Sequence, residues 1–200
     1  MREGSKGFVS IDAETLGLYH DSVILSVGLV VSPWKYQTVE ELMPRSINIK
    51  LDVRDQISNY GLKVHKNVTD WWKKQDEKAR SILNPSINDV KLAELPGIIE
   101  SFIKGQGYRW FELDTYDRRN FDVVKMQYIY EEVLGFGHGN VPWNFSNIYE
   151  FGTALAYLGA DRYGGVRPED VGLIYHNSQH DAILDAYRLL KCMKEVEIIS

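Results

Sequence analysis

The sequence predicts a single α/β domain, a mixed sheet of about five strands flanked by helices, and three observations carry that prediction. Apolar, β-branched runs crowd the first fifty positions, amphipathic stretches with their own stop signals follow, and short strand-like segments recur between them. The 200 residues, 44% apolar and 26% charged, suit one domain over 1–200 with its core at 7–194. No internal repeat, low-complexity segment or interdomain linker interrupts it.

Taken in order, Gly7-Phe8-Val9-Ser10-Ile11-Asp12-Ala13-Glu14-Thr15 is an opening strand broken at Gly17. Asp21 to Ser32, a β-branched run closed by Pro33, reads as a buried second strand. Ser46 to Leu51 alternates polar and apolar as a strand with one wet face does, completing a three-stranded meander. The chain then turns helical. Thr69 is suited to cap a helix over Asp70–Gln75, and Asn84-Pro85 stops a second segment running from Asp76 to Leu83. Ser86 or Asn88 opens a longer helix to about Lys104, with a kink or restart at Pro96-Gly97. Tyr108–Leu113 is expected as a fourth strand, Asn120–Leu134 as a helix ended by Gly135, and Ile148–Leu158 as another helix. Val171–Tyr175 reads as a short strand or extended approach, and Ser178–Lys194 as the last helix.

The formal net charge of −5 argues against a broad basic surface that holds long nucleic acid, but not against a site that grips a few nucleotides through metal ions. The one cysteine, Cys192, excludes a disulfide within the chain and points to a reducing, cytoplasmic setting, the host cytoplasm if the chain is phage-encoded. Met1–Lys6 lacks the apolar core of a signal peptide, and no run reaches the length of a membrane span.

Chemistry is expected first at Asp12 and Glu14. Positions i and i+2 of a strand face the same way, so the two carboxylates stand within about 7 Å of each other and ask for a cation or a shared proton. The plain alternative is two surface acids in a turn. A second acid, Asp122, lies in the first turn of the helix after the fourth strand, where a capping role competes, and Asp117 is its reserve. Near the carboxyl end a histidine precedes an aspartate by five positions twice, His176 with Asp181 and His180 with Asp185. Strand-borne Asp12 and Glu14, helix-start Asp122, and His180 with Asp185 form the inventory of two-metal phosphodiester hydrolysis, four acids and one base.

These residues, Asp12-x-Glu14-Thr15-x-Gly17 early, an aromatic-Asp in the middle and His180-x4-Asp185 late, resemble the DEDDh exonucleases of the ribonuclease H-like superfamily. Ser46–Asp52, Val68-Thr-Asp-Trp71-Trp72-Lys-Lys-Gln and Asn177-Ser-Gln-His180-Asp-Ala resemble the branch holding T-even phage exonuclease A and the Rv2179c-like exonucleases. The resemblance implies a ribonuclease H-like fold and a metal-dependent 3′-to-5′ exonuclease. Asp12, Glu14 and Asp185 would hold the tighter of two divalent ions, Mg²⁺ or Mn²⁺, and Asp12 with Asp122 the second. His180 would take the proton of the attacking water, and the product would be a nucleoside 5′-monophosphate. Thr15 and Leu16 would position the terminal nucleotide, Leu16 by wedging against its base. The implied partner is the 3′ end of single-stranded nucleic acid, DNA in preference to RNA, and a homodimer is consistent with the resemblance. A catalytically silent binding module on the same fold is the competing reading. Trp71 and Trp72 are expected to divide between core and rim.

Overall fold

The computed structural model describes residues 4–200; Met1–Glu3, part of the segment read above as lacking a signal peptide, lie outside the described residues. Five strands, β1 (Gly7–Thr15), β2 (Ile24–Pro33), β3 (Ser46–Lys50), β4 (Leu113–Asp117) and β5 (Ile148–Glu150), form one mixed sheet in the order β3-β2-β1-β4-β5. The first three pair antiparallel as the expected meander, while β4 pairs parallel with both β1 and β5. Around the sheet run α1 (Val39–Leu42), α2 (Val53–Tyr60), α3 (Lys66–Trp72), α4 (Glu77–Arg80), α5 (Leu95–Gly105), α6 (Phe121–Tyr128), α7 (Phe151–Tyr157) and α8 (Ser178–Glu195). Among the described residues no helix is long and apolar enough to cross a membrane.

The alternation of β1 sets up the site. Val9 and Ile11 point into a core shared with Leu95, Ile99 and Ile103 of α5 and Met126 of α6. Phe8 points the other way, into a second core built on Ala182, Ile183, Ala186 and Leu190 of α8 and Phe151 of α7. By the two-residue period, Ser10, Asp12 and Glu14 share the α8 side with Phe8. The acids therefore emerge where the β1 apolar row ends, beside the carboxyl ends of two parallel strands, a place where α/β sheets leave a crevice.

Several elements differ from the sequence reading. The fourth strand is Leu113–Asp117 rather than Tyr108–Leu113, because Arg109 and Glu112 close a capping box around a 3₁₀ turn at Trp110–Glu112. Two acids disguise β4 as a loop, yet Asp114 and Asp117 are both fully buried there. Ile148–Glu150 is the fifth strand and not a helix start, since Glu150 caps α7 by accepting the N–H groups of Gly152 and Thr153. Residues 171–175 form no strand; the chain leaves a short 3₁₀ turn, Pro168–Val171, through Gly172 at φ 72°. The helix from Phe121 ends in a π turn, Ile129–Val133, and α3 starts at Lys66 rather than being capped by Thr69. Helices α1 and α2 were not expected from the pattern; α2 is bounded by the Asp52 cap and Gly61.

Candidate active site

Helix α8 carries half of the site, and its start is fixed against β2 and β3. Asn177 caps it by accepting the His180 N–H at 3.1 Å, and the buried hydroxyls of Ser26 and Ser178 meet at 2.8 Å. Gln179 donates to Ser46 at 2.7 Å. Gly28 permits this approach: a Cβ there would lie 2.1 Å from the Ser178 carbonyl carbon and oxygen. So seated, α8 turns Asp181 and Asp185, one turn apart, toward Asp12 and Glu14 on β1.

Five carboxylates thus share one space. Burial first, then Asp122, Asp181, Glu14 and Asp185, raise the Asp12 carboxyl well above its ordinary range. Burial and Asp181 push Glu14 up to about 8, and burial and Asp185 push Asp181 up to about 7. Glu14 is 9% exposed, and no donor among the described residues hydrogen-bonds its carboxylate. His176 Nδ1 lies 3.9 Å from Glu14 Oε1, a ring that carries charge only when protonated. One ligand atom each from Glu14, His176 and Asp181 lies within 4.8 Å of the others. A buried Glu14 without a donor and the mutually raised proton affinities of its neighbours fit a divalent cation, and oxygen-rich ligands suit Mg²⁺ or Mn²⁺.

The middle acids take separate places. Asp122 accepts the Ala13 N–H of β1 at 3.2 Å, and burial, then Asp117, raise its carboxyl well above the usual range. Asp117 instead caps α6, accepting the Val123 N–H at 3.0 Å, with its other oxygen unpartnered and its pKa raised by burial to about 6. The backbone between them is strained: Arg119 and Asn120 have φ of 66° and 54° in succession. Arg118, on the same link, donates from Nε to Asp185 Oδ2 at 2.8 Å and from Nη2 to Oδ1. Arg188 Nη1 adds a bond to Asp185 Oδ1 at 3.0 Å.

The histidines divide differently from the expectation. His180 Nδ1 accepts the Ile174 N–H at 3.0 Å, which places the proton of the neutral ring on Nε2. His176, held in the left-handed region at φ 58°, is the one beside Glu14, its ring 4.8 Å from that of Trp71. Burial lowers the pKa of both. Thr15 is closed into the turn, its hydroxyl donating to Gly17 O at 2.7 Å. Leu16 is 6% exposed and belongs to the core, whereas Leu18 and Tyr19 at the tip of the same bend are 67% and 63% exposed. A wedging Leu16 therefore requires this bend to open. The bend is tied down by the buried Lys125 of α6, whose ammonium donates to the carbonyls of Tyr19, His20 and Ser22. Trp72 lies in the core and donates to Thr15 O at 2.9 Å, and Trp71 stays at the rim.

Asp181, His176 and Arg118 join the site although they were not among the residues expected there. The repeated His-x4-Asp spacing was the available signal for the first two; nothing in the sequence marks Arg118.

A sheet of this order with an acid-lined crevice at its parallel edge is the architecture of the ribonuclease H-like exonucleases. The chain belongs to the Rv2179c-like family, the 3′-5′ exoribonuclease Rv2179c-like domain, whose model matches residues 7–197. It is 31% identical over 83 residues to an exodeoxyribonuclease of Enterobacteria phage T4, a match over 40% of this chain and 36% of the phage enzyme's length. Among solved structures, S. pombe Pop2p in its Mg²⁺- and Mn²⁺-bound form aligns with a TM-score of 0.54 at 12% identity, over 94% of this chain and 82% of that one. A zinc-bound complex of E. coli ExoI with single-stranded DNA aligns with a TM-score of 0.54 at 14% identity, over 97% of this chain and 41% of that one. At such identities these structures speak for the fold.

Proposed function

We propose that this chain is a metal-dependent 3′-to-5′ exonuclease that releases nucleoside 5′-monophosphates from single-stranded nucleic acid. The observation that carries the reading is the convergence of Asp12, Glu14, Asp122 and Asp185, with Asp181, at the carboxyl ends of β1 and β4. Asp12, Glu14 and Asp185 would hold one divalent cation, and Asp12 with Asp122 a second. Bound there, two such ions supply positive charge to the attacking and leaving oxygens of a phosphodiester. The chain's own part is to hold its carboxylates in place: Ala13 N–H fixes Asp122, and Arg188 fixes Asp185. His180 accepts the proton of the attacking water, which requires its Nδ1 contact with Ile174 to open or its ring to turn, because the proton now sits on Nε2. Exposed Tyr19, Trp71 and Tyr175 at the rim offer faces for bases, each worth about 1–3 kcal/mol where stacked.

The polymer has two readings. The family description, matched across residues 7–197, favours RNA, and we place it first. The DNA preference expected from the sequence is supported by the phage relative, over 83 residues. Matched RNA and DNA strands of one sequence, competed in one reaction with and without a 3′-terminal block, separate them. Faster loss of RNA with a free 3′ end supports the first reading, faster loss of DNA the second, and equal attack on blocked strands contradicts a 3′-directed exonuclease.

A further inference from the structure

Among the cations around the carboxylates, Arg118 is bound to a residue that the proposed function needs for something else. Its fork covers both oxygens of Asp185, Nε on Oδ2 at 2.8 Å and Nη2 on Oδ1. Arg188 also reaches Oδ1, but the two arginines are held in unequal ways. Arg188 is 5% exposed, sits one turn along the same helix, and gives both Nε and Nη2 to the Val166 carbonyl. Arg118 stands at the mouth. Its remaining hydrogen bond goes to the carbonyl of the exposed Arg162 at 2.7 Å, and its guanidinium lies 5.5 Å from the ring of Tyr163, itself 48% exposed. The link it belongs to runs through two consecutive left-handed residues, Arg119 and Asn120, a backbone that stores strain.

A carboxylate engaged on both oxygens by a guanidinium has little left for a cation, and a divalent ion on Asp185 repels the arginine beside it. Arg188 suffices to keep Asp185 oriented once Arg118 has left. A freed guanidinium at the mouth of a phosphodiester site has an obvious partner, since its fork matches two phosphate oxygens as well as it matches two carboxylate oxygens. We propose that Arg118 is a phosphate-binding residue held in reserve on Asp185. It leaves the carboxylate when Asp185 takes a divalent cation and closes on the phosphate of the terminal nucleotide. The two ligands then bind cooperatively, because whatever a cation does to free Arg118, a phosphate does equally to free Asp185. The proposal rests on the metal-binding reading of Asp185 given above.

A purely structural clamp predicts the opposite sign. If Arg118 only holds Asp185 in place, its removal loosens a ligand and weakens cation binding; if it competes, its removal strengthens cation binding. The test is calorimetric titration of Mn²⁺ into the full chain, alone, with uridine 5′-monophosphate, and with uridine as the phosphate-free control. For the wild type the nucleotide is expected to tighten Mn²⁺ binding roughly 5-fold or more, and uridine to leave it unchanged. Arg118→Gln is expected to bind Mn²⁺ tighter than the wild type without nucleotide and to show a smaller gain with it, the part that remains coming from direct contact between phosphate and cation. Equal or weaker Mn²⁺ binding by Arg118→Gln, or a nucleotide gain as large in it as in the wild type, overturns the proposal. Melting in EDTA reports folding; should Arg118→Gln not fold, Arg118→Lys replaces it, because one ammonium cannot cover both oxygens as the fork does. Asp185→Asn separates the two levels of the argument. Loss of Mn²⁺ affinity in Asp185→Asn with unchanged Arg118 variants sinks the Arg118 proposal alone, whereas a wild type that binds no Mn²⁺, or an Asp185→Asn variant that binds it normally, sinks the metal-binding reading as well.

Discussion

Glu14 keeps its proton because burial and the neighbouring Asp181 oppose its ionisation, which lifts it from 4.5 to about 8, while Asp181 rises from 3.8 to about 7. In the metal-free chain both groups are protonated in the folded state at pH values where the unfolded chain has released them, so stability falls as pH rises through this range. His176 and His180, lowered by burial from 6.5, act in the opposite sense as pH falls below that value, and Lys125, lowered by burial to about 8, does so as pH rises beyond it. The window between about pH 6.5 and 7.5 isolates the carboxyls. Melting in EDTA is expected to give a lower Tm at the upper end, Mn²⁺ is expected to raise Tm more there than at the lower end, and Glu14→Gln is expected to flatten the slope. A Tm that rises across the window contradicts the shared-proton picture. For the middle acids, Asp122→Asn is expected to cost several kcal/mol of transition-state stabilisation, at least about a hundredfold in rate. Asp117→Asn, which can still accept the Val123 N–H, should lose at most about 10- to 100-fold. The reverse order would move the metal-ligand role to Asp117. For the base, His180→Ala should slow single-turnover hydrolysis by about 10²- to 10⁴-fold and His176→Ala by much less, and the opposite ranking would give the role to the histidine beside Glu14.

At the scale of elements, the site depends on how α8 sits against the sheet. Gly28→Ala would drive a methyl group into the Ser178 backbone, which cannot yield as a side-chain tip can. It is expected to cost about 1–3 kcal/mol in urea denaturation. Activity should fall beyond what the loss of folded protein explains, since Asp181 and Asp185 move with the helix; full activity per folded molecule would mean that the helix start tolerates displacement. The elements nearest the site were also the ones the sequence showed best and worst. The meander and α8 were legible because their apolar periods are long and their ends are marked by Gly17, Pro33 and Asn177. Strand β4 was not, because Asp114 and Asp117 occupy a fully buried strand, where tertiary context overrides propensity. Strand β5 has three residues and hands directly to α7 through Glu150, so no two-residue period had room to form. Asp12, Glu14 and Asp185 could be singled out from spacing. Arg118 could not, because its partner lies 67 positions away and only the fold brings them together.

For the whole molecule, a net charge of −5 and five acids in one crevice mean that a polyanion is admitted only with help from cations. Chelation should therefore abolish both turnover and nucleotide binding without unfolding the chain. Hydrolysis of nucleic acid from the 3′ end by this carboxylate crevice with divalent metal is tested by following a 5′-labelled single strand with Mn²⁺, with EDTA, and with Asp12→Ala. A ladder shortening stepwise from the 3′ end in Mn²⁺, and absent in the other two reactions, is the result expected. A folded, Mn²⁺-binding protein that leaves both DNA and RNA strands intact, or one whose Asp12→Ala variant still produces the ladder, would rule out metal-dependent 3′-to-5′ hydrolysis at this crevice.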